Sequence, residues 1–173
     1  YQAEQRFERA LDWYNQIIAF HPWTRAGLET PLYIAQDYTR QGKVQRAQIA
    51  YEHAADIYRK RVDDAPSQQL LNAVNTYLAM TYQQLKDWPR AAEVLEALAQ
   101  QPEGVDRAAV LLRLGTLYER LNRPEKSVEA YAVLVKDFPD HPLSEEAREH
   151  LKRLSVPPMA VAPVLPVPSP VAP

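Results

Sequence analysis

The side chains best suited to metal or acid–base chemistry in this 173-residue chain are its four histidines, because the sequence contains no cysteine. His53 and Asp56 lie one helical turn apart and are the only such pair with the spacing of metal ligands. A stable metal site needs a third converging ligand, and the sequence offers none. His21 and His141 each precede a proline and are interpreted as turn residues. The sequence therefore predicts neither a metal nor a cofactor.

The serines and acidic pairs also lack the context of a catalytic site. With only four glycines, the chain contains no Gly-x-Ser-x-Gly motif, no phosphate-binding glycine loop and no dinucleotide-binding fingerprint. Ser67 and Ser144 lie near the starts of predicted helices, where a hydroxyl caps the first turn. The acidic pairs at 63–64 and 145–146 suit helix ends or solvated faces. We therefore expect a protein that is not an enzyme.

The charge balance argues against a nucleic-acid partner. The chain carries 20 basic and 22 acidic side chains, whereas binding to phosphate backbones usually needs a strong positive excess. The densest basic run, residues 59–61, is flanked by Asp56, Asp63 and Asp64, so local neutralisation explains it. No run approaches 18 apolar residues, so no transmembrane helix is expected. The first residues, Tyr-Gln-Ala, lack an initiating methionine, which suggests a processed product or an excised piece.

Proline divides the sequence into two predicted parts, a helical domain over 1–156 and a proline-rich tail over 157–173. Of the fifteen prolines, those in the tail recur every two or three residues among Val and Ala, which favours polyproline II over helix. The tail is interpreted either as a linker or as a docking segment. In the body, Ala, Leu, Gln, Glu and Arg abound, and these are strong helix formers.

Proline and glycine positions predict where the helices of the body begin and end. Thr30, Asp87 and Asn122 each come just ahead of a proline as a capping side chain, and Gly42 suits a left-handed helix end. Between these joints, apolar residues recur at helical spacing. The pattern predicts an all-α body of about eight helices, roughly 3–20, 30–41, 44–64, 67–86, 88–101, 105–121, 124–137 and 142–154.

An internal repeat of small and aromatic residues runs through this helical body. The intervals of three, nine and four residues occur in three successive units: Ala35, Tyr38, Ala47, Tyr51; Ala79, Tyr82, Ala91, Leu95; Gly115, Tyr118, Ser127, Tyr131. Two antiparallel helices approach closely only where small side chains face each other, and the aromatic residues fill the adjoining gaps. A single pair leaves an apolar face open, so neighbouring pairs must stack on it.

This pattern resembles the tetratricopeptide repeat over roughly residues 8–141, most closely at 114–139. The resemblance implies a right-handed α-solenoid of three helix pairs, entered by an N-terminal half-repeat and closed by a capping helix at 142–154. It also implies a scaffold or adaptor that binds another protein within a multiprotein complex. The first two units are 44 residues apart instead of the usual 34, which predicts a second helix lengthened by two turns. The next spacing is 36, with a longer joint at 102–104.

A narrower resemblance concerns the setting of the protein. Residues 131–154 contain an aromatic-Pro-Asp-x-Pro turn at 138–142, followed by an acidic helix. This segment is similar to repeats of bacterial cell-envelope proteins, such as the TolA-binding family and the outer-membrane assembly lipoproteins. The resemblance implies a periplasmic or membrane-associated location, with the cytoplasm as the alternative.

The expected partner site is the concave groove, which the first helix of each pair lines in this family. The alignment places eleven residues there: Tyr33, Gln36, Arg40, Tyr77, Met80, Gln83, Gln84, Arg113, Thr116, Glu119 and Arg120. Tyr33 and Tyr77 occupy one slot in successive units and are interpreted as surplus to the core, hence as anchors for a partner. The alternatives are self-association through the long second helix and, third, contact with RNA.

Overall fold

The computed structural model describes residues 2–101 and 104–155. Every element in this part of the chain is an α-helix: α1 (Gln2–Phe20), α2 (Arg25–Arg40), α3 (Val44–Asp64), α4 (Gln68–Gln84), α5 (Trp88–Ala99), α6 (Arg107–Arg120), α7 (Pro124–Asp137) and α8 (Pro142–Ser155). Apart from the start of α2, the helix ends lie within two residues of the predicted ones. The predicted tail at 157–173 and two residues of the predicted joint, Pro102 and Glu103, lie outside the described residues.

Each helix packs against its neighbour in sequence, so α2–α3, α4–α5 and α6–α7 form three stacked antiparallel pairs. The small residues of the repeat are all buried at the crossings within these pairs: Ala35, Ala47, Ala79, Ala91, Gly115 and Ser127. The slots at Tyr51, Tyr82, Leu95, Tyr118 and Tyr131 are buried too, and Tyr38 is half-buried against the cluster of the first pair. The predicted all-α solenoid and its packing slots are therefore confirmed.

Gly115 shows why the third pair needs a residue without a side chain. A Cβ built on Gly115 lies 2.6 Å from Cζ and 2.7 Å from Cδ1 of Tyr131, well inside van der Waals contact. Ser127 Oγ donates a 2.8 Å hydrogen bond to the Gly115 carbonyl oxygen across the same crossing. Close approach of α6 and α7 therefore fixes the glycine, as the alignment predicts.

The turns inside the three pairs repeat one backbone geometry. Gly42, Lys86 and Asn122 have φ of 70°, 58° and 54°, and each follows the last turn of the first helix. In each turn the next N–H donates to a carbonyl five residues earlier, as in Lys43 to Tyr38. Gly42 is thus the predicted left-handed helix end. Asn122 is not the predicted N-cap, because it is held in this turn and Arg123 precedes α7.

Helix α2 begins at Arg25 and not at the predicted position 30. Thr24 is its N-cap and accepts a hydrogen bond from the Gly27 N–H at 3.1 Å, so Thr30 is buried inside the helix. Pro31 therefore lies in the helix interior, where it cannot donate to the carbonyl of Gly27 four residues earlier. The prediction that Pro31 marks a joint is wrong.

Arg61 supplies the donor that Pro31 lacks. Its Nη1 donates to the Gly27 carbonyl at 3.0 Å, and its Nη2 donates to the carbonyl of Ile18 in α1 at 3.2 Å. Arg61 lies near the end of α3, whose 21 residues include the predicted extension. Arg61 is buried, and burial lowers its pKa. The prediction that flanking acidic residues neutralise this basic run is thus correct for Arg59, which pairs with Asp56, but wrong for Arg61.

Helix α8 closes the stack, as predicted for a capping helix. Ser144 and Ala147 are buried against the last pair, and Leu151 and Leu154 are half-buried on the same side. The rest of the helix is charged and largely exposed, so one face packs and the other is solvated.

Candidate partner-binding surface

The inner surface of the solenoid is formed by the first helix of each pair and by α8. Helix α2 contacts α4, and α6 contacts α8, whereas no Cα atom of α4 lies within 8 Å of a Cα atom of α6 among the described residues. The separation coincides with the joint between α5 and α6, which is longer than the joints inside the pairs. The inner surface is therefore closed within each half and open at its centre.

A cleft of about 410 Å³ lies at this opening. Its α4 wall presents Gln69, Ala73 and Thr76, which share one face at helical spacing. Its α6 wall presents Ala109 and Arg113, also one turn apart. The small side chains of Ala73 and Ala109 leave room for the backbone of a bound segment. The polar side chains of the lining can form hydrogen bonds with that backbone.

Arg113 is the predicted groove residue that lines this cleft. Its side chain is exposed and forms no ion pair with a described residue. Thr116, one turn further along α6, donates its hydroxyl to the Arg113 carbonyl at 2.9 Å, so its hydroxyl serves its own helix. The guanidinium is therefore the cation that α6 presents to the cleft.

Tyr33 and Tyr77 converge on Glu29, a residue that the sequence analysis missed. The Tyr77 hydroxyl donates to Glu29 Oε1 at 3.3 Å, and the Tyr33 hydroxyl donates to Oε2 at 3.5 Å. Arg25 Nε donates to Glu29 Oε1 at 2.8 Å, and this hydrogen bond is the main cause of the lowered pKa of Glu29. Glu29 lies four residues before Tyr33 in the sequence. This spacing places the two side chains on one helix face only if both residues lie in α2, as they do because α2 starts at residue 25.

The two tyrosines differ in burial. Tyr33 is 46% exposed, as expected for a residue that the core does not need. Tyr77 packs against the core and stacks on Tyr58, with ring centroids 5.9 Å apart. Partial burial, followed by the neighbouring Glu29, raises the pKa of Tyr77. Tyr77 therefore joins α4 to α2 and α3, and its interpretation as surplus to the core is wrong.

The other predicted groove residues on α2 and α4 are unequal in exposure. Gln84 and Arg40 are exposed, and Arg40 pairs with Asp37 of its own helix at 2.6 Å. Gln36 and Gln83 are half-buried. Met80 packs against the cluster formed by the first pair, so it contributes to the core as well as to the inner face.

Glu119 and Arg120, at the end of α6, contact neighbouring helices. Glu119 accepts hydrogen bonds from Tyr131 at 2.7 Å, from His150 at 2.6 Å and from Arg153 at 2.6 Å, which ties α6 to α7 and α8. Partial burial acts to raise the pKa of Glu119, but these hydrogen bonds outweigh it and leave the pKa lowered. The guanidinium of Arg120 lies 5.1 Å from the ring centroid of Trp88 in α5.

Two segments, residues 76–103 and 109–141, match the family model of the tetratricopeptide repeat. The chain folds as a tetratricopeptide-repeat solenoid. The matches cover most of the second and third pairs, while the first pair, with its long α3, lies outside both. No curated protein matches the sequence.

Solved tetratricopeptide-repeat structures share the fold at low identity. A candidate kinesin light chain from Podosopora anserina, with nearly identical TPR-like repeats, is 22% identical, with a TM-score of 0.56 over 89% of this chain and 80% of that one. BtubC (BKLC) from P. vanneervenii is 20% identical, with a TM-score of 0.57 over 88% of this chain and 66% of that one. These similarities concern the fold alone.

The outer surface of the repeat solenoid has a smaller pocket of about 250 Å³ between α5, α6 and α7. Its floor is apolar, including Leu111 and Leu114, and its rim carries Glu96 and Lys126. Lys126 Nζ lies 3.4 Å from Glu96 and 5.1 Å from the Tyr118 ring centroid. The rim charges are thus satisfied within the repeat.

Within residues 2–101 and 104–155, no group of three or more acidic or histidine side chains is arranged to hold a metal ion. His53 is exposed on α3, and His150 is half-buried on α8 and engaged with Glu119. In the same part of the chain, no helix has the length and apolar character needed to cross a bilayer.

Proposed function

We propose that this protein is a non-catalytic scaffold that binds a segment of a partner protein in the cleft between α4 and α6. Tetratricopeptide repeats generally mediate protein–protein interaction, and the fold of this chain is of that type. The single observation that carries the proposal is the opening of the inner surface between α4 and α6, since the other inner helices contact each other.

The cleft lining favours an extended segment with an acidic side chain at the Arg113 end, since the carboxylate of Asp106, which also lines the cleft, caps α6 by accepting a hydrogen bond from the Ala109 N–H. Ala73 and Ala109 are small and lie on opposite walls, so a peptide backbone can come close to both helices. Gln69 and Thr76 offer donors and acceptors for that backbone. Arg113 offers an exposed guanidinium, which binds carboxylates well because it donates two parallel hydrogen bonds.

We propose a bacterial cell-envelope complex as the setting. The proposal rests on the Phe138-to-Pro142 turn and the acidic helix that follows it, which resemble repeats of envelope adaptors. Fractionation of the native cells tests this setting independently of the binding site. Recovery of the protein only in the cytoplasmic fraction would contradict the setting and leave the proposed cleft unaffected.

The binding site is tested by crosslinking in the native cells, followed by mass spectrometry to identify the partner. The double variant Gln69→Ala with Arg113→Ala should then weaken binding of that partner roughly tenfold or more, since both side chains are exposed at the cleft. Lys60→Ala, a change of an exposed cation on α3, is the matched control and should leave affinity unchanged. Equal affinities for all three proteins would contradict the cleft as the site.

A further inference from the structure

Helix α1 exposes two large aromatic side chains on one face. Trp13 is 67% exposed and Phe20 is 75% exposed, although residues of this type supply much of the burial in protein cores. The two residues are seven positions apart, which corresponds to two helical turns, so both side chains lie along the same stripe, with exposed Gln16 between them. We call Trp13, Gln16 and Phe20 the α1 aromatic face.

The body of the solenoid does not cover this face. The described part of α1 packs against α2, and Arg61 of α3 donates a hydrogen bond to its Ile18 carbonyl. The side of α1 that faces the body carries Tyr14, Ile17 and Ile18, all half-buried. The α1 aromatic face is therefore a second, outward apolar surface on the same helix.

We propose that the α1 aromatic face binds the same face of a second copy of this chain, with the two α1 helices antiparallel. The spacing of the face is self-complementary, because a two-fold axis near Gln16 places each Trp13 opposite the Phe20 of the second copy. Both contacts are then aromatic pairs, which are favourable beyond the area that they bury. In a parallel arrangement, Trp13 would face Trp13 of the second copy and Phe20 would face Phe20, so the two different rings would not pair.

The charges beside the face fit the same arrangement. Asp12 is exposed next to Trp13, and His21 is exposed next to Phe20. The two-fold axis that pairs Trp13 with Phe20 also places Asp12 opposite His21 of the second copy, so a carboxylate meets an imidazole that donates a hydrogen bond. Arg9 is also exposed on this side of α1 and lies at the far end of the contact.

The size of the face sets the strength of the dimer. Each buried aromatic side chain removes roughly 150–250 Å² from solvent, so the four rings of two copies bury several hundred square ångströms. Stable interfaces bury about 1,200–2,000 Å² in total, so this contact falls at the weak end. We therefore expect a reversible dimer with a dissociation constant in the micromolar range.

Sedimentation velocity of the full chain tests the dimer. The sedimentation coefficient should rise between about 5 and about 500 µM protein, as for micromolar self-association. The double variant Trp13→Ser with Phe20→Ser should raise the dissociation constant tenfold or more and keep the helical circular dichroism spectrum. Val44→Ser removes a side chain that is 77% exposed on α3, and this control should dimerise like the parent.

The orientation is tested with single cysteines, since the natural sequence has none. In the antiparallel pair, two Gln16→Cys residues meet near the two-fold axis and should form a disulfide on mild oxidation. Two Arg9→Cys residues then lie about 22 Å apart along the helices, too far for a disulfide. These variants keep both aromatic residues, so they test the contact even where the serine variant unfolds.

Three results would overturn the proposal. A parent chain that stays monomeric over the whole concentration range excludes the dimer. A serine double variant that dimerises as well as the parent moves the contact away from α1. Disulfide formation by Arg9→Cys as fast as by Gln16→Cys contradicts the antiparallel arrangement.

Discussion

Arg61 donates to the carbonyl oxygen of Gly27 at 3.0 Å, which is the acceptor left without its helical partner by Pro31. The two residues are 34 positions apart and lie on different helices. A proline in the interior of a helix usually costs about 3 kcal/mol, partly because a backbone hydrogen bond is lost. A side chain from the next helix replaces that hydrogen bond here, so α2 runs through the proline.

Replacing Arg61 should destabilise the first pair. Arg61→Leu leaves the buried carbonyl of Gly27 and the half-buried carbonyl of Ile18 without their donor, and we expect a loss of about 2–3 kcal/mol in the free energy of unfolding. Urea unfolding followed by circular dichroism measures the loss. Lys60→Leu, at the exposed neighbouring position, is the control and should change the free energy by less than about 0.5 kcal/mol.

Pro31→Ala should partly rescue the loss of Arg61. It restores an N–H that can donate to the Gly27 carbonyl, so Arg61→Leu should cost about 1 kcal/mol less in the Pro31→Ala background than in the parent. A double-mutant cycle measures this coupling. Additive effects would show that Arg61 stabilises the fold by some means other than replacing the missing donor.

A methyl group at position 115 should be enough to disturb the third pair. In an open helix position, Gly→Ala stabilises by about 1 kcal/mol, but here the added Cβ collides with the Tyr131 ring. We expect Gly115→Ala to lower stability by about 1–3 kcal/mol and Gly115→Leu by more. Ala132→Leu, an exposed enlargement on α7, is the control. An unchanged melting temperature for Gly115→Leu would contradict the close approach of α6 and α7.

Gly104 is a poor control for Gly115, although it lies in a joint. Its φ of 74° is one that side chains rarely adopt, so Gly104→Leu strains the backbone whatever space surrounds it. The two substitutions therefore both destabilise, for different reasons, and only the change at Gly115 reports on helix packing.

Truncation of Tyr33 and truncation of Tyr77 should have different effects on the free energy of unfolding. Tyr33→Ala should change the free energy of unfolding by less than about 0.5 kcal/mol, because the ring is 46% exposed. Tyr77→Ala should cost about 3 kcal/mol, since it removes a ring packed on Tyr58 and on the core. Thermal melts of both variants decide this point. Equal losses would contradict the difference in burial.

The Glu119 cluster should make the docking of α8 sensitive to acid. The pKa of Glu119 is lower in the folded chain than its ordinary value of 4.5, so its interactions stabilise the fold fully above that pH and are lost as the pH falls through the lowered pKa. Glu119→Gln should therefore melt below the parent at neutral pH, and the difference should shrink below pH 4.5.

Melting curves of Glu119→Gln and of the parent, recorded from neutral pH to about pH 3, measure this dependence. Glu93→Gln, an exposed change on α5, is the control and should follow the parent at every pH. A difference between Glu119→Gln and the parent that stays constant down to the lowest pH would contradict the role of the ionised carboxylate.

The repeat could be predicted from sequence because its packing rules are local. Ala79, Ala91 and their counterparts occupy fixed intervals, and each interval corresponds to a crossing between consecutive helices. The start of α2 could not be predicted in this way. Pro31 signals a helix end by local rules, and the residue that overrides the signal, Arg61, comes from the far end of the next helix.

The exposure and contacts of the predicted groove residues were harder to predict, because helical spacing gives the direction of a side chain but not the neighbour found there. Arg113 and Glu119 both lie on α6 and were both placed in the groove. Arg113 faces the opening between α4 and α6, while Glu119 meets His150 and Arg153 of α8. Which of the two stays available depends on the longer joint before α6 and on the side chains of α8.

The wide separation of the α4 and α6 backbones also has a mechanical consequence. Neighbouring inner helices pack on each other in both halves of the solenoid, whereas at the centre the packing between the described helices of the two halves runs through α5, which packs on both α4 and α6. When the superhelical curvature changes, the bending is therefore concentrated at this joint, because fewer helix–helix contacts oppose it there. Under the proposed function, partner segments of different width are accommodated by a small change of curvature at this joint, while the helix pairs on either side keep their shape.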